Sequence, residues 1–371
     1  ATLERYIARL VNEGARPGSI LYVTFNKSMA DAGSERIIRT LTGGGLNGED
    51  ARQFGQWFCT IHAACYRILR DNGLKAQVAK NWEIKKVLQD IIPQLWPYEE
   101  DNPYPKSLYA AICNAKMHCV HQIDDEKFFV ELFGDYHGRR TSDTREKFDS
   151  QMEKDGKITF PDMLYLCESA LNDDPSFCRK WQEQFQHVIV DEGQDTNVQA
   201  MRILTLLASP QNQFTICGDA DQTLYRFAAA SPEFNLLEGF SERFPNGELF
   251  KMDTNYRSFP DIVRCGRNLI EHNYDDHGGA IPKIFRKDIN PYHISKYDET
   301  YVHFDMYDDV HEEAYEVAKS IKAQLLNNVC DPGDIFVGAR TRAQLGNLEP
   351  IFTKMKIPFV NITGGSFWHL R

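Results

Sequence analysis

Asp191 and Glu192 are the two side chains of this sequence best arranged to do chemistry. They end the run His187-Val188-Ile189-Val190, so three β-branched apolar residues stop abruptly at a carboxylate pair, followed by Gln194 and Asp195. Such a run reads as a buried strand of a parallel sheet, and ligands gather at the carboxyl ends of parallel strands. Asp191 is therefore placed to hold a hydrated Mg²⁺, an ion that favours carboxylate oxygens and bound phosphates. Glu192, one residue on, is placed to orient or deprotonate a water attacking a terminal phosphate. The competing reading is a helix cap, with Asp195 or Thr196 as the capping residue.

A second unit of the same form follows, its Asp219 28 residues after Asp191: Phe214-Thr215-Ile216-Cys217-Gly218-Asp219-Ala220-Asp221-Gln222-Thr223-Leu224-Tyr225-Arg226-Phe227. Gly218 lets the backbone turn at the strand end, and Asp219, Asp221 and Gln222 are expected on the same sheet edge as Asp191 and Glu192. A third unit, Asn255-Tyr256-Arg257-Ser258, follows the short apolar segment Leu249-Phe250-Lys251-Met252. The fixed fork of donors on Arg257 suits phosphate oxygens.

The elements that must carry these residues can be read along the chain. Residues 2–13 place Leu3, Ile7, Leu10 and Val11 on one helical face, stopped by Gly14 and Pro17. Ile20 to Phe25 reads as a strand, Ser28 to Leu41 as a helix, Trp57 to Thr60 as a strand, and the next helix runs to Arg70 and ends at Asn72-Gly73. Between 76 and 155 the texture changes to a mainly helical insertion containing Pro93, Pro97, Pro103 and Pro105. The strand pattern resumes at Phe185 and continues through Asp191, Gly218 and Met252. A second α/β unit begins near 281, with Val302–Met306 alternating, an acidic amphipathic helix over 310–327 and a buried strand from Asp334 to Gly338. No internal repeat or low-complexity segment is evident.

In order and spacing, Asp-Glu-x-Gln-Asp, Gly-Asp-x-Asp-Gln-Thr-x-Tyr and Asn-Tyr-Arg-Ser resemble the UvrD/Rep/PcrA group of superfamily 1 DNA helicases. Val23-Thr24-Phe25-Asn26-Lys27 resembles the first DNA-contacting motif of that group, and Cys59-Thr60-Ile61-His62 its Thr-Phe-His motif. Ile357-Pro358-Phe359-Val360 and Gly364-Gly365-Ser366-Phe367 resemble the region before its large insertion. Each motif alone is weak; five in register are specific, and the likeness covers most of the chain, least over 76–155. The implied fold is α/β: a RecA-like P-loop NTPase core, its parallel sheet flanked by helices, with a helical insertion and part of a second RecA-like domain. Residues 1–75 and 156–280 would form the first domain, 76–155 the insertion, and 281–371 the start of the second.

The resemblance assigns roles residue by residue. ATP and Mg²⁺ are the implied cofactors. Asp191 would bind Mg²⁺, Glu192 would act on the attacking water, Gln222 would sense the γ-phosphate, Arg257 would stabilise the transferring phosphoryl group and Tyr256 would stack on adenine. On the DNA side, Phe25, Tyr225 and Phe227 are candidates to stack on bases, and Tyr225 and Phe227 fall on one side if that segment is extended. Thr24, Asn26, Thr60 and His62 are candidates to contact phosphates. For each aromatic the alternative is hydrophobic filling, and for His62 a structural histidine. Implied partners are single-stranded DNA and single-strand/duplex junctions, with movement 3′→5′.

Three departures from the group stand out. Gly193 occupies a position where the pattern usually has a large apolar side chain, one Thr is missing between Phe25 and Asn26, and Phe227 stands where tryptophan is frequent. The chain starts at Ala1 and holds no Gly-x-x-x-x-Gly-Lys-Thr loop, the usual phosphate cradle. It also stops at Arg371, ahead of the last two motifs of the group. The expectation is a fragment of a motor, not competent to turn over ATP by itself.

Bulk properties are compatible with this reading. Length (371 residues), 42% hydrophobic and 26% charged content are those of a soluble globular protein of two or three domains. No apolar run approaches the roughly 20 residues needed to span a bilayer, and nine cysteines without a Cys-x-x-Cys pair fit reduced thiols. A cytoplasmic, nucleoid-associated protein is expected. Cys113, His118, Cys119 and His121 match no common zinc spacing and read as helix surface. A net charge of −11 argues mildly against a polyanion partner, but a DNA track is local and can rest on stacking. Two alternatives remain: a nucleic-acid-binding or regulatory protein with a degenerate ATPase site, and a subunit of a helicase–nuclease.

Overall fold

The computed structural model describes residues 2–25, 27–96, 103–118, 125–211, 213–226, 229–274, 276, 278–279, 281–282, 285–292 and 302–361. Two compact units are formed, one from 1–251 with 273–286 and one from 252–272 with 287–371. Asn26, Phe227, Cys119, His121 and the segment 364–367 lie outside the described residues.

The first unit is built on a four-stranded parallel sheet. Its strands are β1 (Ile20–Thr24), β2 (Phe58–Thr60), β5 (His187–Val190) and β6 (Phe214–Ile216), in the order β2-β1-β5-β6. Alternation along β1 and β5 sorts the side chains onto two buried faces. Ile20, Tyr22 and Ile189 pack beneath α1 (Thr2–Asn12), α2 (Lys27–Gly43) and α3 (Gly48–Phe54). Leu21, Val23, Val188 and Val190 pack on the other side, where α4 (Ile61–Asp71), α8 (Phe160–Asp173), α9 (Pro175–Gln184) and α10 (Val198–Ala208) supply the cover. Because both faces are covered, the strands read as continuous apolar runs and not as alternating ones.

Between α4 and α8 the chain makes a mainly helical excursion. A short strand β3 (Gln77–Val78) pairs in parallel with β4 (Lys157–Ile158), and α5 (Asn81–Leu95), α6 (Pro105–Met117) and α7 (Asp125–Lys154) lie between them. α7 is two helical stretches meeting at Gly134, whose φ of 76° is open to glycine at little cost. These helices share a core of their own around Leu88, Ile91, Ile112 and Phe148.

One buried charge ties this excursion to the sheet-packing helix α8. Lys116 of α6 is only 7% exposed and donates to Asp149 of α7 at 2.5 Å and to Asp162 of α8 at 2.6 Å. Burial alone would lower the Lys116 ammonium pKa, but Asp162 and Asp149 outweigh it and hold it above its usual range. Asp149 also faces Arg145, which is paired with Asp125. Removing one member of such a cluster leaves unmatched charge behind.

In the second unit the helix Val310–Leu326 packs against Leu348–Met355 around Ala318, Ile321, Phe352 and Ile357. A two-residue strand β7 (Thr254–Asn255) pairs in parallel with β8 (Asn290–Pro291). The helix expected over 310–327 is present, but three expected strands are not. Residues 249–252, 302–306 and 334–338 carry no strand, Asp334 closing a 3₁₀ turn, and Phe250, Phe304 and Phe336 are exposed. A strand exists through its ladder partners, and among the described residues these segments form no β-ladder. No helix among the described residues is long and apolar enough to cross a membrane.

Lys116→Met is expected to lower the folding free energy by about 3 kcal/mol in urea titrations, because Asp149 and Asp162 lose their counter-charge. Adding Asp149→Asn to that variant should recover part of the loss.

Candidate nucleotide and nucleic-acid site

The register of the sheet gathers the sequence-selected residues at one edge. Thr24 pairs with Thr60, and Val23 with Val190, which in turn pairs with Ile216. The ends of all four strands thus meet, and Phe25, His62, Asp191 and Glu192 follow directly. Asp191 continues the ladder by one bond, its N–H donating to Val23 O at 2.8 Å.

A continuous chain of hydrogen bonds crosses this edge from β5 to β6. Glu192 N donates to Asp191 Oδ1 at 3.1 Å, and Gln194 Nε2 donates to Glu192 Oε2 at 2.7 Å. Gln194 Oε1 then accepts from Asp219 N at 3.0 Å, and Gln222 Nε2 donates to Asp219 Oδ2 at 2.8 Å. Gln194 is 1% exposed, so its amide is a buried connector with both ends used. The carboxylates of Asp191 and Glu192 are partly exposed and Gln222 is exposed, which leaves them open to a ligand.

Local backbone choices make this chain possible. Glu192 takes a left-handed φ of 53°, unusual for a residue with a side chain and of the kind that clusters at functional turns. Gly218 leaves room for this contact, since a Cβ there would lie 2.6 Å from Gln194 Oε1 and 2.9 Å from Leu236 Cδ1 and one of them would have to shift. Gly193, the departure from the family pattern, has a similar explanation. A Cβ on it would lie 2.5 Å from Ile216 Cδ1, so the isoleucine of β6 fills the space under the turn. Buried Asn235 holds the same turn from below, donating to Gly193 O at 2.8 Å and Thr196 O at 2.6 Å.

The helix-cap reading of the acidic turn does not hold. Asn197, not Asp195 or Thr196, caps α10, its Oδ1 accepting from Ala200 N at 2.8 Å. Asp195 instead accepts from Leu224 N, and burial raises its pKa above the usual carboxylate range. Asp221 is engaged by Asn273 and Tyr274. Burial, and then the charges of Asp191 and Glu192, push the neighbouring Cys217 thiol up to about 11, so it stays protonated.

Of the DNA-side candidates, Phe25 and Tyr225 are brought together, their ring centroids 4.1 Å apart at a 34° tilt. Thr60 caps α4 by accepting from Ala63 N at 3.3 Å. Thr24 is buried at 3% exposure, and its hydroxyl has no hydrogen-bond partner among the described residues. His62 lies edge-on to Phe160 at 5.7 Å, and burial pushes its pKa down to about 4. It is therefore neutral at pH 7 and can offer a phosphate a hydrogen bond but no charge.

Tyr256 and Arg257 belong to the second unit. Asn255 Oδ1 accepts from Arg257 N at 2.9 Å and from Ser258 N at 2.8 Å, an Asx-type turn. Both side chains are exposed, and the Tyr256 ring lies 4.8 Å from that of Tyr292. Sequence reasoning passed over Tyr22, Asn235 and the connecting role of Gln194. Tyr22 was hidden inside an apolar run, and Asn235 lies 40 residues beyond the turn at Asp195 that it supports.

A RecA-like α/β fold, with acidic and amide residues linked across the carboxyl edge of a parallel sheet, defines a nucleotide-handling class of protein. The model of the UvrD/REP helicase N-terminal domain matches residues 1–245, and the chain belongs to the UvrD/Rep helicase family. It is 27% identical to the ATP-dependent DNA helicase PcrA of Leuconostoc citreum, across 100% of this chain and 47% of that protein. It is 25% identical to the PcrA proteins of Staphylococcus epidermidis and Staphylococcus aureus, across 99% of this chain and 48% and 47% of theirs. The chain thus spans about half the length of these curated relatives.

Two outcomes test the site's construction. Gly218→Ala should cost about 1–3 kcal/mol in urea melts, since a Cβ there overpacks a filled space. His62 gives a pH signature. The unfolded chain takes up the imidazole proton below about pH 6.5 while the folded chain refuses it down to about pH 4, so stability falls as pH drops through that window. Relative to pH 7, wild type should lose about 2 kcal/mol more at pH 5 than His62→Gln does; equal losses would mean that His62 is freely solvated.

Proposed function

We propose that this chain is the nucleotide- and DNA-handling part of an ATP-dependent DNA helicase that moves 3′→5′ along single-stranded DNA and unwinds duplex at junctions. Residues 1–75 and 156–280 would be its first RecA-like domain, 76–155 a helical insertion, and 281–371 the start of a second RecA-like domain. The reading is supported above all by the hydrogen-bonded chain from Asp191 through Glu192, Gln194 and Asp219 to Gln222. A regulatory protein with a dead ATPase site has no physical need for that connection.

Asp191 suits Mg²⁺. Among the described residues no group of three or more His, Cys, Asp or Glu side chains forms a protein-only metal site. Mg²⁺ needs only one or two carboxylates when phosphates and waters complete its shell, and Asp191 is a partly exposed carboxylate fixed at the sheet edge. The ion, when bound with ATP, supplies neutralisation of phosphate charge.

Glu192 would orient the attacking water and accept its proton, held in position by Gln194. Gln222, joined to Glu192 through Gln194 and Asp219, would report the γ-phosphate to the segment 223–226 that leads to the DNA side. Tyr256 would stack on adenine, and Arg257 would stabilise the phosphoryl group in transfer. Phe25, Tyr225 and Phe227 would stack on bases, which tolerates any sequence as a translocating motor requires. Thr24, Asn26, Thr60 and His62 would serve the DNA backbone. The proposal carries with it a cytoplasmic, nucleoid-associated protein.

In the full-length protein, Glu192→Gln should keep ATP binding while DNA-stimulated hydrolysis drops by at least two orders of magnitude. Unchanged turnover would remove Glu192 from its role. Tyr225→Ala should weaken single-strand binding by about 1–3 kcal/mol at fixed salt; an unaltered affinity would leave the ring as packing for Phe25.

A further inference from the structure

Tyr22 is a polar residue in the centre of the apolar strand β1, 2% exposed and flanked by Leu21 and Val23, both buried. Its hydroxyl donates to Asp191 Oδ2 at 2.8 Å. The geometry of parallel strands explains the reach. Tyr22 pairs with Ile189 on β5, so Asp191 lies two residues further along and on the same face of the sheet. At about 3.3 Å of rise per residue that offset is about 6.6 Å, which a tyrosine side chain lying along the strand can span.

The surrounding residues leave the ring little freedom. Phe58 of β2 meets it edge-on at 5.6 Å and 74°. On its other side α2 passes over it at Gly33, where a Cβ would lie 3.1 Å from the hydroxyl oxygen and 3.2 Å from Cε1. Gly33 thus gives the hydroxyl end room between helix and sheet. With Glu192 N on Oδ1 and the Tyr22 hydroxyl on Oδ2, both oxygens of Asp191 are oriented before any ligand arrives.

We infer that Tyr22 is a positioning residue that locks the Asp191 carboxylate in the rotamer needed to receive a divalent cation carried by a nucleoside triphosphate. This deepens the proposed function and rests on Asp191 being the cation-binding carboxylate. The physical reason is that an outer hydrogen bond removes the torsional freedom of a carboxylate ligand, and losing such a bond typically weakens metal binding 10- to 100-fold.

The test uses Mn²⁺ as a paramagnetic probe of the full-length protein in the presence of a non-hydrolysable ATP analogue. Bound and free ion are counted by electron paramagnetic resonance, without reference to turnover. Tyr22→Phe, which keeps the ring and its packing on Phe58, should raise the Kd for Mn²⁺ about tenfold or more, with nucleotide affinity in EDTA and thermal midpoint near those of wild type. Asp191→Asn is the reference and should abolish the tight Mn²⁺ site. If Asp191→Asn loses the site and Tyr22→Phe binds Mn²⁺ as wild type does, the Tyr22 inference is overturned while the helicase reading stands. If Asp191→Asn binds Mn²⁺ as wild type does, the assignment of Asp191 falls, and Tyr22 with it.

Discussion

Everything at this site depends on one buried amide. Gln194 donates to Glu192 and accepts from Asp219 N, and so joins the turn after β5 to the turn after β6. An amide suits the place because it offers a donor and an acceptor at fixed separation and carries no charge into a buried position. A carboxylate there would face Glu192 with like charge, and an apolar residue would leave the Asp219 N–H without this partner. Gly193, Gly218 and Asn235 are then understood as the conditions under which Gln194 can sit where it does. Two of them keep the space clear, and the third holds the turn by its carbonyls.

The second constraint is the parallel sheet, which turns separations in sequence into neighbours in space. Thr24, Thr60 and Asp191 are far apart along the chain, yet the ladder puts all three at one edge. Because the carboxyl ends of parallel strands open into loops, polar residues can gather at that edge without a break in the core. The cost is visible at Glu192, whose left-handed backbone is tolerated because the ladder on one side and the Gln194 bond on the other determine its position.

The helical excursion 76–155 is joined to this core by packing and by charge. Lys116, with Asp149 and Asp162, spans helices from both parts of the first unit. A buried ammonium is satisfied only when both carboxylates keep their distance, so the cluster favours one arrangement of α6, α7 and α8 over its neighbours.

The sequence by itself singled out the candidate residues at the sheet edge and most of the elements around them. Asp191, Glu192 and Gln222 stand out because two strand-then-polar units recur in order along the chain, where a single acidic turn reads equally as a helix cap. The four strands of the sheet and the helix over 310–327 were legible because periodicity is a local property. Three expected strands, at 249–252, 302–306 and 334–338, were not realised, since an apolar pattern marks a segment that can pair but cannot supply its partner. Only the tertiary structure decided which polar groups meet. Gln194 reaches Asp219 and Tyr22 reaches Asp191 across strand pairs whose register no single stretch of sequence contains. Ile216 likewise fills the space beside Gly193 from a different strand. Hydrogen bonding and exclusion act through distance in space, and that distance is set by the folded sheet.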